Sequence, residues 1–305
     1  MIKIKKGTKM PSVTANGIQI EYETFGSPSH RPLLLIIGLG SQMIQWDDDL
    51  CKDLAERGHY VIRYDNRDVG LSTKFEESGV PDLIKIFEKL VRHETVIPPY
   101  TLDDMADDGV GLLTALGIQK AHICGMSMGG MIAQTIAIRH PSRVLSLTCI
   151  YSTTGNPELP QPKQEVVGLL VTPPPKEREA SIEHMMRLFK TITGPGYPID
   201  EKWSYKISAE CYDRCFYPQG IVRQLVAILT QSNREPALAS VHVPTLVVHG
   251  TSDPLVPVEG GKATAKAIPG AQLMLIEGMG HDLPHGGAWP RIVETIATHT
   301  QKATL

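Results

Sequence analysis

One serine of this chain is bracketed by glycines, in the stretch Gly-Met-Ser-Met-Gly at residues 125–129. A serine hydroxyl is a weak nucleophile unless a base and an orienting acid activate it. Apolar residues before the stretch predict a strand and those after it predict a helix, so Ser127 would lie on a sharp strand-to-helix turn. Glycines on both sides remove side chains that would keep this turn from closing. The pattern predicts an exposed nucleophilic serine, and a Gly-Ser turn without chemistry is the alternative.

Two later loops carry a matching acid and base. Apolar runs at 244–250 and 271–277 predict strands, and they lead into Asp253 and His281. Parallel strands share one carboxyl edge, so both side chains are expected beside Ser127. Alone, such an aspartate more often caps a helix or forms a turn, and such a histidine more often lies on the surface. The chain order serine, aspartate, histidine favours a triad of nucleophile, orienting acid and base.

Three neighbouring residues are weaker candidates for the same chemistry. Asp282 adjoins His281, and side chains at consecutive positions are expected to point apart. His285 follows one helical turn later. His249 precedes its loop and is expected to make a structural hydrogen bond at the strand end.

The oxyanion that forms when a carbonyl is attacked needs preorganised hydrogen-bond donors. The backbone N–H of Met128, directly after the nucleophile, is one predicted donor. The second is expected from the loop Gly-Leu-Gly-Ser-Gln at 38–42, where glycine lets the backbone approach a substrate closely. We predict the N–H of Leu39, with Gly40 as the alternative donor, and a loop without a role as the structural alternative.

Strand and helix patterns alternate at both ends of the chain and are interrupted in the middle. An Asn-Gly pair at 16–17 predicts a hairpin. The alternation argues for a parallel sheet with helices on both faces. Residues 154–235 are first proline-rich and then helical, without a convincing strand. We therefore predict an α/β domain formed by residues 1–153 and 236–305, with an inserted helical cap at 154–235. The predicted elements are strands near 32–38, 60–65, 121–124 and 144–150 and helices near 46–57, 102–116, 128–139 and 289–298.

Composition is that of an ordinary globular protein and excludes several classes of partner. The chain has 305 residues, 42% hydrophobic and 21% charged, with a net charge of -3. Neither nucleic acid nor an anionic membrane is an expected partner. The N-terminal twelve residues are basic but lack the apolar run of a secretory signal, and we expect a flexible leader. Five cysteines without metal-like spacing favour free thiols and a cytoplasmic location.

The chain resembles the α/β-hydrolase superfamily from about Thr14 to Thr298. Within it, residues 38–46 and 61–72 are similar to the aclacinomycin methylesterase and carboxylesterase branch. The resemblance implies a mostly parallel eight-stranded sheet, a helical cap, no cofactor and a serine–histidine–aspartate triad. Many members have a histidine before the oxyanion-loop glycine, where this chain has Ile37. We interpret the charged stretch at 65–72 as structural, tied by hydrogen bonds of its Asp and Arg side chains.

The predicted chemistry is transfer of an acyl group to water from a small to medium, largely apolar ester. The cap is expected to shape the pocket, although most of its apolar residues could simply pack it against the sheet. We predict pocket contacts from Met185, Phe189, Trp203 and Tyr217. Further candidates are Met186, Leu188, Tyr212, Phe216 and Val226.

Other activities of the same fold remain open. A meta-cleavage carbon–carbon hydrolase uses the same type of serine turn. A proline iminopeptidase would need acidic cap residues for a substrate amine, and Glu183 and Glu210 are candidates. Haloalkane dehalogenase and epoxide hydrolase chemistry is disfavoured because those enzymes have aspartate where this chain has Ser127. A small-molecule receptor on this fold, with little or no turnover, is the alternative from another class. The sequence leaves the oligomeric state open.

Overall fold

A single eight-stranded sheet forms the centre of the molecule in a computed structural model, which describes residues 11–285 and 287–303. The predicted leader therefore lies almost entirely outside the described residues. The strand order is β1-β2-β4-β3-β5-β6-β7-β8. β1 and β2 pair antiparallel with their neighbours, and every pairing from β4 to β8 is parallel. The strands are β1 (Ser12–Ala15), β2 (Ile18–Phe25), β3 (Arg31–Ile36), β4 (His59–Tyr64), β5 (Ala121–Met126), β6 (Val144–Ile150), β7 (Thr245–Gly250) and β8 (Gln272–Ile276).

Eleven α-helices are found among the described residues, together with three short 3-10 turns. Five helices lie between β6 and β7, the region of the predicted cap, and the others connect or follow strands. The helices are α1 (Asp48–Glu56), α2 (Leu83–Val91), α3 (Leu102–Ala115), α4 (Met128–Arg139), α5 (Gln164–Val171), α6 (Arg178–Ile192), α7 (Glu201–Arg214), α8 (Pro218–Leu229), α9 (Glu235–Leu238), α10 (Val258–Ala267) and α11 (Trp289–Lys302).

Strand β3 is apolar at nearly every position because its alternating side chains enter two different hydrophobic clusters. Leu34 and Ile36 belong to the hydrophobic cluster under α3 and α4, whereas Leu33 and Leu35 belong to the cluster under α1 and α11. A strand covered by helices on both faces needs apolar residues at every position. The predicted α/β fold with a mostly parallel eight-stranded sheet is confirmed.

The hairpin between β1 and β2 is also confirmed. Asn16 and Gly17 have φ of 49° and 78°, the left-handed pair required by a two-residue turn of type I′. Helices α2, α5 and α10, at 83–91, 164–171 and 258–267, are not predicted from the sequence. α5 lies inside the proline-rich stretch, and α10 begins directly after Pro257. No helix of the described residues is long and apolar enough to cross a membrane.

Candidate active site

The predicted nucleophile lies on the turn between β5 and α4. Ser127 has φ 54° and ψ −124°, a left-handed conformation that is strained for a residue with a side chain. Its N–H donates to Ile150 O at 2.9 Å, and its carbonyl accepts from Gly130 N at 2.9 Å. Hydrogen bonds from β6 and α4 therefore hold this turn in its unfavourable conformation.

The two glycines around this serine are required by contacts with backbone. A Cβ on Gly125 would lie 2.0 Å from Gly129 O, and a Cβ on Gly129 would lie 2.1 Å from Ile36 O. Strand β3 and helix α4 pass too close for any side chain at either position. The predicted role of these glycines, steric clearance for the turn, is confirmed.

Asp253 and His281 meet at the carboxyl ends of β7 and β8. His281 Nδ1 and Asp253 Oδ2 are 2.7 Å apart, and both side chains are buried. The other carboxylate oxygen accepts from the N–H groups of Leu255 and Val256 at 2.9 and 2.8 Å. Burial opposes ionisation of Asp253, but the nearby His281 and the histidine hydrogen bonds outweigh it and lower its pKa to about 2. Asp253 is therefore a carboxylate that accepts a hydrogen bond from the Nδ1–H of His281, which leaves Nε2 unprotonated in the neutral ring.

Ser127 and His281 line the same cavity. Among the described residues, no hydrogen bond joins Ser127 Oγ to the imidazole. Such bonds are often long in ligand-free enzymes and tighten when substrate binds. The structure thus pairs the predicted base with the predicted acid, and the base lines the cavity of the predicted nucleophile.

The predicted oxyanion loop follows β3 and lies against the serine. A Cβ on Gly38 would lie 3.2 Å from Ser127 Cβ. The N–H of Gly40 donates to Gln224 Oε1 at 2.8 Å, so this donor is already engaged. In residues 11–285 and 287–303, the backbone N–H groups of Leu39 and Met128 have no described acceptor. The geometry favours Leu39 over Gly40 as the second predicted donor.

The cavity above the serine has a volume of about 1020 Å³. Met185, Phe189 and Trp203 line it, as the sequence analysis predicted. Tyr217, the fourth predicted contact, is not among the described residues that line it. Its hydroxyl accepts from Arg223 Nη2 at 2.7 Å, and Arg223 also pairs with Asp68 at 2.8 Å. This buried ion pair draws the tyrosine away from the cavity.

Apart from three histidines, the charged side chains among the described lining residues have one sign. Among the lining residues that the structure describes, the charged side chains are Asp47, Asp200 and Asp282, and no lysine, arginine or glutamate is present. Two of these acids also cap helices: Asp47 accepts from Asp49 N at 2.7 Å and Asp200 from Trp203 N at 3.0 Å. The described residues contain no group of three or more metal-ligating side chains that could hold a metal ion.

A comparison with family models matches residues 31–288 to the alpha/beta hydrolase fold family. This match covers strands β3 to β8, the insertion and all three predicted triad residues. The chain belongs to the alpha/beta hydrolase fold family.

Relatives of this α/β hydrolase have different activities. It is 28% identical to rhodomycin D methylesterase of Streptomyces sp. strain C5 over 96% of this chain and 98% of that one. It is 25% identical to 3-oxoadipate enol-lactonase 2 of Acinetobacter baylyi over 87% of this chain and 88% of that one. Among solved structures, the meta-cleavage product hydrolase of Pseudomonas fluorescens IP01 superimposes with a TM-score of 0.73 at 20% identity. The superposition covers 96% of this chain and 98% of that one. This structural likeness shows the fold alone.

The sequence did not predict Tyr151 in this hydrolase's site, and it marked Asp282 only as a weaker candidate for the acid. The ring of Tyr151 packs against the His281 imidazole with centroids 4.5 Å apart, and its hydroxyl donates to Met126 Sδ at 2.9 Å. Tyr151 is also strained, with φ 36°. Asp282 lines the cavity, 3.3 Å from Thr193 Oγ1, and burial raises its pKa to about 6. No sequence motif marks these residues, because packing between distant segments brings them together.

The charged stretch at 65–72 is structural, as interpreted. The Asp65 carboxylate accepts from Met43 N and Leu71 N, both at 2.8 Å. Arg67 pairs with Asp108 at 2.6 Å, where both side chains are buried, and Gly70 has φ 52°. His249 likewise makes the expected structural hydrogen bond, with Nε2 2.8 Å from Val256 O.

Proposed function

We propose that this protein hydrolyses a carboxylic ester of a small to medium, largely apolar substrate through an acyl-enzyme on Ser127. The observation that carries the proposal is the 2.7 Å contact between His281 Nδ1 and Asp253 Oδ2 at the wall of the cavity that Ser127 also lines. The full-length similarity to a methylesterase supports an ester as the substrate.

The reaction follows from the proton positions. His281 Nε2 takes the hydroxyl proton of Ser127 as Oγ attacks the ester carbonyl, and the N–H groups of Leu39 and Met128 hold the resulting oxyanion. The ionised Asp253 stabilises the imidazolium. His281 then donates its proton to the leaving alcohol, and the acyl group remains on Ser127. Water, deprotonated by His281, attacks this acyl group and releases the acid.

We assign residues 154–235 to a cap that encloses the substrate, and residues 1–153 and 236–305 to the hydrolase core. Met185, Phe189 and Trp203 support the assignment, because all three come from this insertion and line the cavity over the serine. Apolar walls favour a substrate whose groups around the ester are largely apolar.

The charge of the cavity wall favours a neutral ester over an anionic substrate. A carboxylate buried without a cation loses its hydration without compensation. The dienoate substrate of a meta-cleavage hydrolase bears such a carboxylate, and no lysine or arginine is among the described lining residues to pair with it. An ester cleaved to a carboxylic acid enters neutral, and the acidic wall would favour release of the product.

An iminopeptidase would need acidic cap residues for its substrate amine. Among the described residues of the insertion, the acid that lines the cavity is Asp200, and it is already engaged by Trp203 N at 3.0 Å and by His285 Nδ1 at 3.6 Å. Glu183 and Glu210 are exposed and are not among the described residues that line the cavity. Glu210 Oε1 instead lies 3.9 Å from Lys206 Nζ. The receptor alternative predicts at most one slow turnover per site, whereas the proposed enzyme turns over repeatedly.

Free cysteines support a cytoplasmic location for this enzyme. All five cysteines lie in the described part of the chain and form no disulfide, and three of them are buried. We propose a small-molecule ester as its partner, and neither nucleic acid nor a membrane.

A matched pair of chromogenic esters tests the proposal. 4-Nitrophenyl butyrate and 4-nitrophenyl hemisuccinate are similar in size, but only the second carries a carboxylate. We expect repeated turnover of the butyrate, with kcat/KM on the order of 100-fold above that of the hemisuccinate. A meta-cleavage dienoate and a proline arylamide should be poor substrates, and Ser127→Ala should abolish turnover of all esters. A preference for the hemisuccinate or the dienoate would contradict the substrate assignment.

A further inference from the structure

The loop that carries His281 is bonded to the insertion through main-chain atoms. Residues 192–196 begin at the last residue of helix α6 and lie along the loop 278–281. The N–H of His281 itself donates to Ile192 O at 2.8 Å. A second bond runs the other way, from Gly196 N to Gly278 O at 2.9 Å. We call this pair of facing segments the clasp.

Glycines on both sides allow the two backbones of the clasp to touch. A Cβ on Gly194 would lie 2.2 Å from Gly278 O and 2.4 Å from Gly280 N. A Cβ on Gly280 would lie 2.1 Å from Ile192 O and 2.3 Å from Gly194 N. Real Cβ atoms essentially never approach closer than 3.0 Å. The colliding atoms are backbone on both sides, so an added methyl group must push the segments apart.

The clasp supplies a restraint that the loop does not supply itself. Two of the three residues before His281 are glycines, and glycine has the largest conformational freedom of any residue. Asp253 holds one edge of the imidazole and Tyr151 packs on its face. Both contacts act at the end of the side chain. Core residues after β7 hold the start of the loop, since Ser252 N donates to Met279 O at 3.0 Å and Gly278 N donates to Thr251 Oγ1 at 2.9 Å. The bond to Ile192 O adds a restraint at the N–H of His281 itself, at the main chain from which the imidazole projects.

We propose that residues 192–196 of the insertion are a positioning element for His281, so that closure of the clasp sets the distance between the imidazole and Ser127. The inference rests on the proposed function, since it assumes that His281 is the base. It also gives the insertion a part in the rate of the reaction, beyond lining the cavity. A base displaced by about 1 Å lowers the rate on the order of 100-fold without removing any reacting group.

A graded series of alanine substitutions tests this proposal. Gly194→Ala meets backbone at 2.2 Å, Gly196→Ala meets the Gly278 Cα at 2.9 Å, and Gly168→Ala meets nothing within 4 Å. Gly168 lies in α5 of the same insertion and is the matched control. With 4-nitrophenyl butyrate we expect kcat to fall about 100-fold for Gly194→Ala and about tenfold for Gly196→Ala, with KM changed less than about threefold. The control should keep wild-type kcat.

The outcomes separate this inference from the proposed function. If the wild type turns over the ester, Ser127→Ala does not, and folded Gly194→Ala keeps kcat within about threefold of wild type, the clasp proposal is wrong and the function stands. If Gly194→Ala fails to fold, Gly196→Ala decides: an unchanged kcat overturns the proposal, and a fall in kcat at constant KM supports it. A rise in KM alone also overturns it, because that would make the segment a substrate contact. Wild-type turnover by Ser127→Ala would remove the proposed function instead.

Discussion

Two glycine-bracketed turns bring the predicted nucleophile and base to the cavity, and they are held in different ways. The turn at 125–129 closes against β3, β6 and α4, which are neighbours in the central sheet and its covering helices. The loop at 278–281 closes both against residues 250–252 of the core and against residues 192–196, which belong to the insertion. Folding of the core thus determines where the serine lies, whereas the histidine depends in addition on an element outside the core. Substitutions in the first turn should affect stability, and those in the second should affect catalysis.

The largest expected effect is on the acid that orients the base. Asp253→Asn can keep the hydrogen bonds from Leu255 and Val256, but its amide favours the wrong imidazole tautomer. We expect kcat to fall about 10,000-fold with little change in KM. Steady-state kinetics with 4-nitrophenyl butyrate measures this, and thermal unfolding checks that the variant is folded. A loss below about tenfold would mean that Asp253 does not orient the base.

Gly125→Ala, in the serine turn, is expected to act mainly on the free energy of unfolding. The new Cβ would lie 2.0 Å from Gly129 O, and both residues are part of the packed core. We expect a loss of about 3 kcal/mol or more in the free energy of unfolding, measured by urea denaturation. Gly194→Ala creates a similar overlap. Compared with Gly125→Ala, it should lower the free energy of unfolding less and lower kcat more. Equal losses of stability for the two variants would contradict the distinction between the turns.

The histidine loop also carries a carboxyl group that should destabilise the fold when ionised. Burial raises the pKa of Asp282 to about 6, whereas an aspartate in the unfolded chain titrates near 4. Below about pH 4, Asp282 is protonated in both the native and the unfolded chain and does not reduce the free energy of unfolding. As the pH rises through about 6, ionisation is less favourable in the native protein than in the unfolded chain, so stability is lost. Asp282→Asn should raise the free energy of unfolding by up to about 3 kcal/mol at pH 8 and change it little at pH 4. Denaturation at both pH values tests this, and an equal effect at the two would contradict it.

The smallest expected effect concerns the ring that joins the two turns. Tyr151 packs against His281 and bonds to Met126, the residue before the serine. Tyr151→Phe keeps the ring and should keep kcat within about threefold, whereas Tyr151→Leu removes it and should lower kcat about tenfold. Equal kcat for the two variants would contradict the role assigned to the ring.

The contrast between the turns also explains what the sequence revealed. The sheet was predictable because its strands are short apolar runs that alternate with helices, and the serine turn because glycine spacing and neighbouring elements all lie within one short stretch. Asp253 and His281 followed from their places after two such strands. The structure pairs them as predicted and brings Ser127 to the same cavity.

The remaining features depend on contacts between segments far apart in the chain. The glycines at 194 and 280 look like ordinary loop residues until their backbones are seen to touch. Tyr217 looked like a pocket residue because it is aromatic and lies in the insertion. Its orientation is set by Arg223, whose buried pairing with Asp68 crosses 155 positions of the sequence. Composition and periodicity carry no information about such pairings.

The central claim is that Ser127 is the nucleophile activated by His281 and Asp253. Labelling with a fluorophosphonate, followed by peptide mass spectrometry, tests it most directly. The account predicts one phosphonyl group per chain, on Ser127, with loss of ester hydrolysis in proportion to labelling, and no labelling of Ser127→Ala. A phosphonyl group on another residue with Ser127 unmodified, or inactivation without modification of Ser127, would contradict the account.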